Sequence, residues 1–528
     1  MIVFATAFLV RVAFWAFSGK LYNFWDFSSS LDLKYYFVYA EALRHFDLSA
    51  AFPLHANPLG VILVFISGIF GHAAVVSKII CILADSMNAV LIFRLASVYR
   101  GRPAFLPGLL YVVSAPVIIF SNYPMAETLT NTMILLFLSN RSKPVAAGIF
   151  AGLSVLGRGN LIIFGILYLG YLLIRRKKAL LFALGFAAVL LPFFIKNASL
   201  HGMPTPVGSQ GAVNLYIGNN ENATGGFVDA GGTSDLEGMK GMKGNRYILD
   251  SFGFILKHPV RAASLYMKKV FLCFSEYCPP LNLNYYFIKN TMPLLFLLPG
   301  FAFFFAFFFA NAGAVLKKDA ELFWMEIFLI ISILPFFLSL RYKLMLLLIP
   351  ALVLAVPRGR NMLIAGILFL ALHFIPKPFS YGYAFRGSSV QLAEIMYNRG
   401  AKASAKELLE KAGTFGREPG NISVELFRAL MAREEGDTAL YVFAMKGLIP
   451  EVRQGRFSHR QNFYEEMVNL FRADITAFYD VFNELEPSDR VRIAYIFARM
   501  GSASTAFELI RDDESREAGE LRDSLEKQ

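Results

Sequence analysis

Residues 175–197 read Arg-Arg-Lys-Lys-Ala-Leu-Leu-Phe-Ala-Leu-Gly-Phe-Ala-Ala-Val-Leu-Leu-Pro-Phe-Phe-Ile-Lys-Asn. Four cations precede an uncharged run from Ala179 to Ile195, and Lys196 closes it. A helix needs roughly 20 apolar residues to cross the hydrocarbon of a bilayer, and this run approaches that length. The four cations mark its cytoplasmic end, because short basic loops stay on the cytoplasmic side. Lys196, at the opposite end, lies where that bias asks for no charge.

The pattern recurs along most of the chain. Of 528 residues, 56% are hydrophobic, 53 are Phe and only 17% are charged, and mean hydropathy is +0.50. That balance excludes an ordinary soluble domain. Apolar runs start near Met1, Val75, Ala104, Met125, Val145, Leu161, Ala179, Thr291, Glu321, Leu344 and Asn361, about eleven spans. With the N-terminus inside, the basic loops at Arg100-Gly101-Arg102, Arg141-Ser142-Lys143, Arg175 to Lys178, Lys317-Lys318 and Arg358-Gly359-Arg360 all face the cytoplasm. The fold expected is therefore all-α, a polytopic membrane helix bundle over residues 1–378, with external loops at about 20–72 and 196–290. Pro58 to Phe70 is open to reading as a re-entrant or interfacial helix. The odd span count places the C-terminal part outside. The net charge of +12 lies largely in clusters beside apolar runs, where headgroups and the inside bias explain it, so no nucleic-acid partner is expected. Cys81, Cys273 and Cys278 form no metal-ligand pattern and no disulfide framework; Cys273 and Cys278 read as two unpaired thiols, with a bridge between them open if their loop faces an oxidising compartment.

Function is read from charges that topology does not require. Trp25-Asp26-Phe27-Ser28-Ser29-Ser30-Leu31-Asp32-Leu33-Lys34-Tyr35-Tyr36 puts acids and aromatic rings directly after the first apolar run. A carboxylate beside hydrocarbon is costly and faces water, a metal or a reacting group. Asp32 is the first candidate acid, Asp26 the second, and Glu127, near the start of another run, the third. A divalent ion held by Asp32 or Asp26 is the metal site these residues allow, and no His-based site is expected. Arg158, Lys196, Arg341 and Lys343 fall at the outer ends of spans, where they suit an anionic headgroup such as a phosphate. Snorkelling to lipid phosphates is the bland alternative for each. The long second loop carries Asn214-Leu215-Tyr216-Ile217-Gly218-Asn219-Asn220, amide-rich and tightly turned, suited to a hydroxyl-rich ligand or simply to a rigid loop. The glycine-rich stretch from Gly231 to Gly244 reads as a mobile loop over the site, because it lacks phosphate-loop spacing.

The order of these features resembles the GT-C integral-membrane glycosyltransferases, in particular relatives of the dolichyl-phosphate-mannose protein mannosyltransferases. Asp32, Tyr36 and Ala40 match an external acid followed by aromatic and small residues. Gly157-Arg158-Gly159-Asn160 sits in a short turn between spans. Pro192 to Asn197 leads to Asn219, Asn220 and Gly225, and Arg341-Tyr342-Lys343-Leu344 follows. The resemblance covers residues 1 to about 375. Lys196 stands where the family commonly has Arg, and Gly159 where it commonly has Pro. The resemblance implies inverting transfer of one sugar from a polyprenyl-phosphate sugar to a protein, glycan or lipid acceptor at the outer membrane face. Asp32 is then the base, Arg341, Lys343, Arg158 and Lys196 the donor phosphate site, and Tyr36, Asn214, Tyr216, Asn219 and Asn220 the substrate surface.

Residues 385–528 are charged and helical in texture. Leu392 and Ala405 recur as Leu426 and Ala439 at an offset of 34, and Ile493 with Ala506 repeats the internal spacing of 13. Thirty-four is the tetratricopeptide period, and such stacks present a concave surface to a peptide or protein. A helical cap that only stabilises the membrane part is the alternative. For the whole chain, a lipid or polysaccharide transporter or flippase and a non-catalytic scaffold remain open beside the enzyme.

Overall fold

The structure, a computed structural model, describes residues 1–21, 31–53, 56–201, 205–206, 208, 210–226, 244–277, 285, 288–289, 292–354, 360–374, 393, 397, 402–403, 405–406, 422–453, 457–500, 502–513 and 515–525. The described residues are helical apart from turns and one isolated bridge, Gly226 with Leu338. Two compact units divide the chain: Met1–Asp229 with Gly241–Phe379, and Ala230–Lys240 with Ser380–Gln528.

The first unit begins with α1 (Ile2–Leu21), α2 (Leu31–Arg44), α3 (Leu48–Ala51), α4 (Pro58–Ile69) and α5 (Ala73–Arg100). Then follow α6 (Phe105–Val112), α7 (Ala115–Ser121), α8 (Ala126–Ser139), α9 (Pro144–Gly157), α10 (Leu161–Ile174) and α11 (Ala179–His201). Shorter elements come next: α12 (Gln210–Gly218), α13 (Gly244–Lys257), α14 (Pro259–Phe274) and a 3-10 turn (Pro293–Leu297). The unit closes with α15 (Phe301–Ala310), α16 (Ala312–Lys318), α17 (Ala320–Ile333), α18 (Leu340–Leu346), α19 (Leu348–Val353) and α20 (Arg360–Phe374).

Each of the eleven apolar runs is helical. Among the described residues, three helical segments, Ala73–Arg100, Ala179–Leu200 and Pro293–Ala310, are long and apolar enough to cross a membrane. Others are shorter for a visible reason. The run from Ala104 breaks between α6 and α7, where Pro116 enters the first turn of α7, and the run near Leu344 breaks between α18 and α19. A helix of 14 residues such as α9 is about 21 Å long, against roughly 30 Å of hydrocarbon.

Glycine sets the closest packing. A Cβ on Gly148 would run into the Phe182 carbonyl of α11, and one on Gly185 into the Val145 carbonyl of α9. Small residues on both sides let two backbones meet, the usual means of helix association where no water drives it. Charge is also buried. Arg11 on α1 pairs with Asp85 on α5 at 2.7 Å, donates to the Val112 carbonyl at 2.8 Å, and Tyr111 donates to the same carboxylate at 2.8 Å.

Two lysines lock the segment that carries the site. Lys343 on α18 is fully buried and donates to the carbonyls of Leu272 at 2.9 Å, Ser275 at 2.6 Å and Tyr277 at 2.7 Å. Those carbonyls lie at and beyond the C-terminal end of α14, where helices leave acceptors unpaired and favour cations. Lys269 on α14 in turn donates to the carbonyl of Leu334, the C-cap of α17, at 3.1 Å.

In the second unit, helices pair in succession: α21 (Ile422–Glu435) with α22 (Thr438–Arg453), α23 (Phe457–Ala473) with α24 (Ile475–Phe482), α25 (Pro487–Arg499) with α26 (Ala503–Leu509), then α27 (Arg516–Leu525). The sequence offset does not translate into equivalent burial: Ala405 and Ala506 are buried, whereas Ala439 is exposed at the start of α22. Leu392 and the side chain of Leu426 lie outside the described residues. The joints between pairs repeat better than the apolar pattern. Tyr441 donates to Glu466 and Tyr464 to Asp489, each at 2.7 Å and each across 25 residues.

Lys343→Met keeps the apolar stem and strands three carbonyls. It is expected to cost about 3 kcal/mol or more, read as a lowered melting temperature of the detergent-purified protein. Burial pushes the Lys269 ammonium from 10.5 down to about 7. The unfolded chain therefore binds the extra proton between those values, and stability rises with pH across that window. The melting temperature should be higher at about pH 9 than at about pH 7, by a margin that shrinks in Lys269→Met.

Candidate functional site

Glu127 enters the site from the first turn of α8, where the positive end of the helix favours a carboxylate. Arg158 comes from the C-cap of α9, in extended backbone with φ −147° and ψ 101°, which turns the chain sharply toward α10. Arg341 comes from the first turn of α18. The Glu127 carboxylate contacts both guanidinium groups, Arg341 through Nε and Arg158 through Nη2. Glu127 is 3% exposed, Arg158 8% and Arg341 6%. Snorkelling, the bland reading of both arginines, therefore does not describe them. One carboxylate is thus shared by two guanidinium groups in a dry setting.

Tight packing brings these groups together. A Cβ on Gly157 would collide with the Thr130 hydroxyl and stand 3.0 Å from Leu59, so α9 closes on α8 only with glycine there. The Arg158 guanidinium also lies 5.4 Å over the Tyr342 ring, a favourable stacking for this cation. Asn160 donates to the Ser332 carbonyl at 3.3 Å and ties the start of α10 to the end of α17.

A cleft of about 300 Å3 opens beside the arginines. Asn57, Arg158, Asn160, Gln210, Asn214 and Tyr342 give it polar lining, and Ile162, Ile163, Leu215, Ile248 and Phe336 give it apolar walls. A narrower space of about 30 Å3, bounded by Phe52, Val155, Phe193 and Lys196, shares Ala56, Asn57, Gly159 and Gly208 with it. Polar groups converging in an apolar cleft are the usual form of a small-molecule site.

The residues singled out from sequence separate into distinct groups. Arg158, Asn214 and Tyr342 line the cleft itself, and Arg341 stands behind Arg158 through the shared Glu127. Lys196 lines the narrower space and donates to the Phe52 carbonyl. Tyr36 accepts from the Asn57 amide at 2.9 Å, which joins α2 to the cleft wall. Asp32 lies one helical turn before Tyr36 on α2, with its side chain outside the described residues, as are Asp26, the stretch 227–243 and Cys278. Cys81 and Cys273 are buried free thiols.

Three expected ligand contacts have other employment. Lys343 spends its donors on the three carbonyls at the end of α14. Asn219 donates to Leu215 at 2.7 Å and to Pro335 at 2.6 Å, and Asn220 donates to Tyr216 at 3.0 Å while accepting from the Asn222 amide at 2.7 Å. These two amides satisfy carbonyls left at the end of α12 and pin it to the segment before α18. Gly225, at φ +98°, then lets its carbonyl accept from the Leu338 amide at 2.8 Å. Tyr216 packs against Tyr247, ring centroids 5.8 Å apart, and is not among the residues lining the cleft.

Sequence reading missed Asn57, Asn160 and Gln210, whose only signal was position next to Pro58, Arg158 and a glycine. It also missed Arg11 and Asp85, for which charge inside an apolar run was a usable signal. Among the described residues no three of His, Cys, Asp and Glu converge on a metal-sized site, and Glu127 is committed to the two arginines. Compared with models of known families, with characterised proteins and with solved structures, the chain finds no match.

Glu127→Gln leaves two buried guanidinium groups facing a neutral amide and should cost about 3–5 kcal/mol. Adding Arg341→Met removes one of the stranded charges. The double variant should therefore be more stable than the sum of the single losses predicts, measured by thermal unfolding of the four proteins of the cycle.

Proposed function

We propose that the protein is a multi-pass membrane glycosyltransferase of GT-C type that moves a sugar from a polyprenyl-phosphate sugar to a protein, glycan or lipid acceptor at the outer face of the cell membrane. The observation that carries the reading is Arg158 at the wall of the cleft, held from behind by Glu127, which it shares with Arg341. A phosphodiester is an anion, and the Arg158 guanidinium at the cleft wall is a fork of donors suited to it. A lipid-linked donor also agrees with the lipid-like surface of α11, where Leu180, Leu184, Leu191 and Ile195 are exposed. In this reading the eleven helical runs are spans and the second unit is extracytoplasmic, its helix pairs available to a peptide or protein partner.

The reaction follows from charge. The acceptor oxygen bonds to the anomeric carbon as the bond from that carbon to the phosphate oxygen breaks, and the electron pair leaves with the phosphate. Asp32 takes the acceptor proton, and attack opposite the leaving group inverts the anomeric centre. The phosphate passes from one negative charge to two. Arg158, and Arg341 through the shared carboxylate, therefore hold the leaving group more tightly than the intact donor, which is what lowers a barrier. A divalent ion held by Asp32 or Asp26 would add a further counter-charge to the phosphate. The runner-up, a lipid or polysaccharide flippase, shares the spans and the arginines but leaves the donor intact, and a scaffold acting through the helix pairs needs no cleft.

Purified protein in vesicles carrying a polyprenyl-phosphate sugar is expected to release polyprenyl phosphate and label an acceptor. Arg158→Lys should lower turnover about 10²–10³-fold, the usual loss for one charge-stabilising donor, and Asp32→Asn should abolish transfer while the protein still folds. Donor that crosses the bilayer unchanged would replace the enzyme with a flippase.

A further inference from the structure

The loop between α11 and the 3-10 turn holds a surface that the reaction does not use. Around α13 the side chains fall into three sectors. Tyr247, Ser251 and Phe254 are buried against the fold. Arg246, Asp250 and Lys257 form a charged sector. Between them Ile248, Leu249, Phe252 and Leu256 are exposed, Leu249 by 69% and Leu256 by 79%. The most apolar side of this helix thus faces away from the protein. The helix after it repeats the arrangement: Ala262, Leu265, Lys269 and Leu272 are buried, while Val260 (83% exposed), Met267 and Phe271 continue an outward apolar stripe.

Charge, not length, sets these two helices apart from a span such as α9. They have 14 and 16 residues against its 14, but both carry charge in mid-helix, Asp250 in one and Lys268 and Lys269 in the other. Their charge is one-sided, because residues 244–274 contain five Lys or Arg and a single acid, Asp250. An outward apolar stripe bordered by cations is the form of a helix that lies in the headgroup region of a membrane.

We infer that α13 and α14 form a hairpin lying flat in the outer leaflet of an anionic bilayer, with Leu249, Phe252, Leu256, Val260, Met267 and Phe271 in the acyl boundary and Lys257 and Lys268 at lipid headgroups. Ile248 belongs both to this stripe and to the wall of the cleft, so the hairpin sets the cleft beside the leaflet from which a lipid-linked substrate enters. The inference rests on the membrane reading proposed above.

The test is nitroxide accessibility in the full chain, reconstituted in vesicles after Cys81, Cys273 and Cys278 are replaced by Ala. Labels at Leu249→Cys, Leu256→Cys, Val260→Cys and Met267→Cys are expected to collide with oxygen several-fold more, relative to a water-soluble nickel chelate, than a label at Asp250→Cys. Lys257→Glu with Lys268→Glu should reduce that ratio in vesicles containing anionic lipid and leave it unchanged in neutral ones. Nickel access at the four sites would overturn the hairpin in favour of a water-facing loop, and protection from both reagents would replace the lipid with a covering protein surface. A label at Leu184→Cys on α11 separates the two readings: oxygen-rich there with water-exposed hairpin sites sinks only the hairpin, whereas nickel access there sinks the membrane reading itself.

Discussion

Two guanidinium groups that are almost out of reach of water need a counter-charge, and Glu127 supplies it to both. Taking charges out of water is expensive, and their mutual attraction repays it only when geometry is good and the remaining donors are occupied. Much of the surrounding structure can be understood as meeting that condition. Gly157 lets α9 approach α8, extended backbone at Arg158 turns its side chain back toward Glu127, and Tyr342 offers the guanidinium an aromatic face. Arg341 reaches the same carboxylate because Lys343, two residues on, anchors α18 to the end of α14. The cleft opens where these elements meet, with Arg158 on its wall.

Buried basic residues in this chain are satisfied in two ways. Arg11, Arg158 and Arg341 meet the carboxylates of Asp85 and Glu127, as Lys289 meets that of Glu276 at 3.3 Å. Lys269 and Lys343 instead meet backbone carbonyls at helix ends. A sequence displays both simply as positive charge at the end of an apolar run, so the difference appears only when distant helix ends are known to meet.

That limit explains what could be read beforehand. Apolar length and loop charge were enough for an all-helical bundle, since each run had to satisfy its own backbone, and the break in composition near residue 380 separated a second, charged helical region. Arg158 and Arg341 were legible as charges without a topological reason. Glu127 ranked last among the acids because its importance lies in two partners far away in the chain, 31 and 214 residues distant. Asn219 and Asn220 misled for the opposite reason: an amide that closes a helix end and an amide that binds a sugar are the same group. Nor did the composition of α13 reveal that its apolar side would face outward, because a buried face and a lipid-facing one have the same residues.

The tyrosine–carboxylate contacts of the second unit carry a different consequence. Tyr441 with Glu466 and Tyr464 with Asp489 join successive helix pairs through the same chemical joint at the same interval. Both joints border one continuous apolar core that runs from Ala429 to Leu525, so they fix the placement of helices that share a centre. A helix pair could not be removed without opening the core that its neighbours share.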